Sequence, residues 1–234
     1  MQEDDKFSLI IIELLFLVIF IIDLVKSFKR IKTMTDTPTS PISLLGRHNP
    51  GEVVEIKARI VDQKIVSSPY FKQPCIFYYA RDFTVITKGG GRHKSVHEET
   101  FEVLYSETFL TLKDKTASIR VDLKDFEHKE FCKHKKKLVS EENTLFRLIG
   151  FGSSSKRFRE EYILPPTSQM VYVLGTFNRS LEEEFITANK NDAAKTVFST
   201  KSEETILRET WLRIVLATVA WLSISSLAFF LFTG

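Results

Sequence analysis

The chain has 234 residues, a formal net charge of +3 and two cysteines. Two cysteines make at most one disulfide, which suits a reducing compartment and excludes a disulfide-dense scaffold. The near-balanced charge, with no long basic face and no stacking platform interleaved with arginines, excludes nucleic acid as a partner.

An acidic tip, residues 1–7, precedes an apolar run at 8–25 (SLIIIELLFLVIFIIDLV) interrupted only by Glu13 and Asp23. A cleaved signal peptide fits poorly. The leading segment is acidic, the run is long, and KSFKRIK follows it without a small-residue cleavage site. A first membrane-spanning helix is therefore expected at 8–25. Lys26, Lys29, Arg30 and Lys32 come next, a cluster suited to an anionic membrane surface. With the Thr-, Ser- and Pro-rich stretch that follows, they form a basic juxtamembrane segment and linker over 26–50.

From residue 51 the pattern changes to a period of two. Val54, Ile56, Ala58 and Ile60 alternate with Glu55, Lys57 and Arg59, which predicts a half-buried strand. Residues 75–87 (CIFYYARDFTVIT) are β-branched and aromatic on both faces, as in a central strand. Lys88-Gly89-Gly90-Gly91 interrupts it, and 96–105 returns as the other arm of a hairpin. A second hairpin joins 108–112 to 117–123 through Lys113-Asp114-Lys115. Between 126 and 155 the alternation disappears into a Lys- and Glu-rich run, which predicts one helix or a long insertion. Within it Lys133-His134-Lys135-Lys136-Lys137 reads as a solvated basic loop. Strands resume at 158–164 and 170–177, across a Pro165-Pro166 turn.

Residues 202–213 predict an amphipathic helical lead-in with Ser202 as N-cap. The run 214–232 (IVLATVAWLSISSLAFFLF) then has no charge, Gly or Pro. Nineteen residues at roughly 1.5 Å each reach about 28 Å, enough for a second span. The expected fold is a membrane protein, with two terminal transmembrane helices flanking a mainly β domain at 51–201. That domain is small-barrel-like and partly closed, α+β at most. Lys195, Lys201, Arg208 and Arg213 precede the second run as the basic cluster follows the first. The positive-inside asymmetry thus expects a cytoplasmic domain with both termini outside, in a bacterial inner membrane.

Five short motifs stand in order through this region. They are Ser67-Ser68-Pro69-Tyr70 followed by Cys75-Ile76-Phe77-Tyr78-Tyr79, then Phe109 to Ala117 (FLTLKDKTA), Glu160 to Pro166 (EEYILPP), Val171 to Gly175 (VYVLG), and Phe198 to Glu204 (FSTKSEE). Together they resemble the "beside a membrane" domain of the GIDE family, known from mitochondrial membrane-anchored E3 ligases and from RING-less prokaryotic proteins. Ser68, Pro69, Cys75, Tyr79, Phe109, Asp114 and Gly175 carry the likeness. The resemblance implies a RING-less member. A RING finger needs eight Cys/His ligands for two zincs, and only Thr233 and Gly234 follow the second run. Ligase activity is therefore not expected to come with it.

Candidate chemistry is sparse. His128, Cys132 and His134 have a spacing that fits no closed four-ligand zinc site, and surrounding lysines repel a cation. Cys75 opens an apolar strand and reads as a small core hydrophobe with no base placed beside it. Gly89-Gly90-Gly91-Arg92 lacks the strand–loop–helix context of a phosphate cradle and reads as a hairpin tip. No catalytic set, metal site or cofactor is expected. Glu13 is the intramembrane candidate, because a carboxyl inside a span is costly and usually faces a partner helix or a wet cavity.

The expected function is a non-enzymatic, membrane-anchored binding, scaffolding or sensor module. The alternative is a membrane-perturbing effector, an oligomerising two-span protein of a bacterial defence system. The expected partners are the lipid bilayer, another protein and a second copy of the chain.

Overall fold

The computed structural model describes residues 3–88, 95–143, 153–167, 169–181 and 183–233. Its centre is built by the first alternating segment. β1 (Val53–Val61) turns Val54, Ile56, Ala58 and Ile60 into a core where all four are buried. Two short strands follow, β2 (Val66–Ser67) and β3 (Pro74–Cys75), and then a long hairpin, β4 (Phe77–Lys88) and β5 (Ser95–Tyr105). β6 (Phe109–Lys113) and β7 (Ser118–Asp122) form a tighter hairpin. A second long hairpin comes next, β8 (Lys133–Asn143) and β9 (Ser153–Leu164), then β10 (Met170–Arg179), β11 (Glu184–Thr187) and β12 (Val197–Ser199).

The order β1-β6-β7-β11-β10, with β1 also paired to β10, closes a five-stranded barrel. All its contacts are antiparallel except β7 with β11, which is parallel. This is the connectivity of an OB-type Greek-key barrel, closed rather than partly closed. The two long hairpins are insertions into it, one between β1 and β6 and one between β7 and β10. They join in a second, four-stranded antiparallel sheet, β5-β4-β9-β8. Phe77, Phe126, Phe131, Phe177 and Phe198 fill the core between the barrel and the root of that sheet.

Two expectations change in and next to the β domain. Residues 133–143 are an edge strand, not a loop or helix; a run polar on both faces hides the period of two. The stretch 33–50 is no free linker. Its helix continues to Asp36, and a short 3₁₀ turn, Ile42–Arg47, buries Ile42 and Leu45. The Gly89–Gly91 tip lies outside the described residues.

The terminal apolar runs belong to two long helices, α1 (Glu3–Asp36) and α2 (Glu203–Thr233). They pack antiparallel, Phe20 stacking on Trp221 with ring centroids 5.7 Å apart and Phe28 meeting Trp211 edge-on at 5.6 Å. Among the described residues no helix is long and apolar enough to cross a membrane. That overturns the two expected spans, and with them the integral membrane placement and its sidedness. The uncharged run of α1 lies between Glu13 and Asp23, and that of α2 follows Arg213. Many of their apolar side chains, Leu15, Phe16, Leu216 and Leu222 among them, are exposed.

The polar ends of both helices dock on the barrel. Arg30 makes a two-pronged bond to Glu130 at 2.6 and 2.8 Å, and Lys29 pairs with Asp192 at 2.9 Å. Met34 is buried with Tyr172, Leu174, Val197 and Ile206. Two members of the expected membrane-surface cluster are thus bound to the domain itself. The expected lead-in is the first part of α2, and Ser202 caps it by accepting from the Thr205 amide at 3.3 Å.

Candidate functional site: a basic cleft on the barrel

The outward residues of β1 meet the end of β6 at the mouth of a cleft of about 700 Å³. Lys57 and Arg59 supply its floor, and Lys113, Lys115 and Thr116 one side. Thr39, Ser40 and Pro41, which lead out of α1, form the other. Backbone register fixes the central row: Arg59 stands between Met170 of β10 and Lys113 of β6. Arg59 and Lys113 are therefore a directly opposed like-charge pair, an arrangement that destabilises a sheet unless something neutralises it.

Among the described residues nothing supplies the neutralising group. Lys57 is paired, with Glu203 at 2.7 Å. Among the described residues Arg59, Lys113 and Lys115 have no ion-pair partner. Asp114, the acid in the lining, is fully engaged with its own turn. Its Oδ2 accepts from the Ile42 amide at 2.8 Å. Its Oδ1 accepts from the Thr116 amide and hydroxyl at 2.6 and 2.7 Å and from the Ala117 amide at 2.9 Å. Burial alone would raise this carboxyl, but those bonds outweigh it and hold the group at about 2.

Behind the cleft lies a buried acid. Glu55 is 1% exposed, although its position in the alternation points it outward. It accepts from Tyr172 Oη at 2.8 Å and from Thr39 Oγ1. The Ser40 amide donates to its carbonyl at 2.8 Å. The wall formed by 39–41 is thereby stitched to β1, so the cleft is preformed.

Asp114 apart, the candidate site residues singled out from the sequence lie outside the cleft. Among the described residues His128, Cys132 and His134 form no group that could hold a metal ion. His128 sits in an aromatic box, 4.9 Å from Tyr79 and 5.4 Å from Phe77 by ring centroid. His134 stacks on Tyr162 and meets Glu160 at 3.1 Å. Burial pushes the Cys75 thiol up to about 11, with Glu161 adding to it, so it remains protonated among its apolar neighbours. Cys132 is raised for the same first reason, burial.

Ser68 and Phe109, two of the motif residues, hold local structure. Ser68 Oγ accepts from the Gln73 amide at 3.0 Å and closes the turn that contains Pro69. Phe109 packs edge-on against Phe185 under the Arg120 guanidinium. The side chain of Glu13 lies outside the described residues. Sequence reading missed the cleft because Arg59 and Lys113 are far apart in the chain. The available signal was the pair of cations on the polar face of the first strand.

His128 carries a stability prediction. Burial lowers its pKa below the ordinary 6.5, against the Leu123 carbonyl and Asp125, which act the other way. A depressed histidine stabilises the fold fully above about 6.5, and stability is lost as pH falls below that value because the unfolded chain binds the proton first. Urea unfolding should show His128→Phe losing less stability than the wild type between pH 7 and 5. Equal losses in both proteins would refute it.

In comparisons with protein-family profiles, curated proteins and solved structures, nothing matches this chain. They neither support nor refute the GIDE-like resemblance.

Proposed function

We propose that the chain is a non-enzymatic binding module whose barrel cleft takes a small phosphate-bearing ligand. The observation that carries this reading is the opposed Arg59–Lys113 pair, with Lys115 beside it and no acid free to answer them. Arg59 presents a planar fork suited to two phosphate oxygens, and the lysines add point charges. The Thr39, Ser40 and Thr116 hydroxyls offer further donors, and Val61, Pro41 and Met170 an apolar flank for the rest of the ligand. Among the described residues no aromatic ring lines the cleft, so they offer no stacking surface of the kind on which single-stranded nucleic acid binds.

The test is calorimetric titration with inorganic phosphate, pyrophosphate and vesicles carrying a phosphomonoester headgroup, which separates a free from a lipid-borne phosphate. Arg59→Ala and Lys113→Ala should each weaken binding by about 10-fold or more, the value of one charged hydrogen bond. Lys190→Ala, far from the cleft, should leave it unchanged. If all three probes fail to bind, or bind equally well to the Arg59→Ala variant, the cleft is not the site.

A further inference from the structure

Along the outward face of β1, charge gives way to apolar surface. Lys57, Arg59 and Val61 are the alternate residues of that face, and all three line the cleft. A second gradient crosses the first. The row through Arg59 runs from Met170 of β10 on one side to Lys113 of β6 on the other. Val61 lies two residues beyond Arg59, so it is the diagonal neighbour of Met170, at a spacing of about 7–8 Å that long side chains bridge. The two make one apolar corner beside the opposed cations. Met170 leaves 45% of its surface uncovered there.

The cleft is larger than a phosphate needs. Its volume is about 700 Å³, within the range of pockets that enclose an organic ligand, roughly 300–1,000 Å³. Whatever is joined to the phosphate therefore touches protein, and the lining decides what it is. A nucleobase is held by an aromatic face, and a sugar by side chains that accept from its hydroxyls. Among the described residues the lining has no aromatic ring, Asn or Gln, and its one carboxylate, Asp114, already answers four donors. Aliphatic surface is what it offers instead: Met170, Val61, Pro41 and the methylene stems of the cations.

We infer that the ligand of the cleft is an alkyl phosphate, its head between Arg59 and Lys113 and its aliphatic chain on the corner of Met170 and Val61. This rests on the phosphate reading of the cleft and adds the class of group to which the phosphate is joined. A soluble alkyl phosphate and a lipid phosphate share that chemistry.

Calorimetric titration of the full chain with inorganic, ethyl, butyl and hexyl phosphate tests it. Full burial of a methylene is worth about fourfold in affinity, so half-burial in an open cleft gives about twofold each, or about 16-fold from ethyl to hexyl. Adenosine monophosphate and a hexose phosphate should bind no tighter than ethyl phosphate. Met170→Gln and Val61→Thr, close in shape but polar, should each roughly halve the ethyl-to-hexyl ratio. Reading the ratio within one protein cancels any loss common to all chain lengths. Arg59→Ala should weaken every member about tenfold and keep the ratio. Vesicles with a phosphomonoester headgroup that displace hexyl phosphate would assign a lipid source, and vesicles that do not, a soluble one. Three results would overturn the inference and leave the phosphate cleft standing: inorganic phosphate that binds with a flat chain-length series, a nucleotide or sugar phosphate that binds as tightly as hexyl phosphate, or a full ratio in both apolar-corner variants. The last would place the chain on the exposed apolar faces of α1 and α2. Failure of inorganic phosphate and of every chain length to bind would overturn both readings.

Discussion

Gly175→Ala should lower stability by about 3 kcal/mol, the upper part of the range for forcing extra atoms into a packed core. Gly175 sits in β10 where the strand changes partner on one side: residues 172–174 pair with β12 and residues 176–179 with β11. At the changeover β11 comes close. A Cβ on Gly175 would stand 2.6 Å from Ile186 Cγ2 and 2.7 Å from the Thr187 carbonyl oxygen. The carbonyl is backbone and Ile186 is fully buried, so neither contact can be relieved by swinging a free side chain. The β10–β11 seam must open, and it is part of the closed barrel. In thermal unfolding the midpoint should drop by about 6–12 °C for a chain of this size. A drop of under about 2 °C would mean the seam yields at little cost.

The same residue shows what the sequence made legible. Gly175 stood out as part of a motif, but its reason is a close approach between two segments, and β11 was too short to announce itself. Where a strand has one wet and one dry face the reading worked: the alternation from Val54 to Ile60 is the inner wall of the barrel. Glu55 broke the pattern because its burial depends on Tyr172 and Thr39, which lie far away in sequence. β8 went unread for the opposite reason. Its lysines pack along aromatic rings, Lys136 lying 4.4 Å from the Phe158 ring centroid, so no apolar stripe marks the strand. The terminal runs were legible as helices. The inference from apolar length to a membrane span failed: among the described residues no helix is long and apolar enough to cross. The cleft is a product of register alone: nothing local joins Arg59 to Lys113, and only the β1–β6 ladder sets them side by side.

Asp114→Asn should destabilise the fold by about 2 kcal/mol and weaken phosphate binding in the cleft together. The carboxylate answers four donors at once, and one of them, the Ile42 amide, belongs to the 3₁₀ turn behind the 39–41 wall. An asparagine keeps one acceptor oxygen, and its amide nitrogen must face either the Ile42 amide or the Thr116–Ala117 donors. One group of donors is left opposed and the turn between Lys113 and Thr116 loosens, taking Lys115 with it. The pH dependence separates this account from simple loss of packing. A carboxyl held at about 2, below the ordinary 3.8, contributes stability that is complete above about 4 and disappears as pH falls toward 2, because the unfolded chain takes up the proton first. Urea unfolding of the two proteins should therefore show a gap that is widest near neutrality and narrows as pH falls below about 4. A gap independent of pH would assign the loss to shape, and unchanged phosphate affinity would show that the turn does not set the cleft.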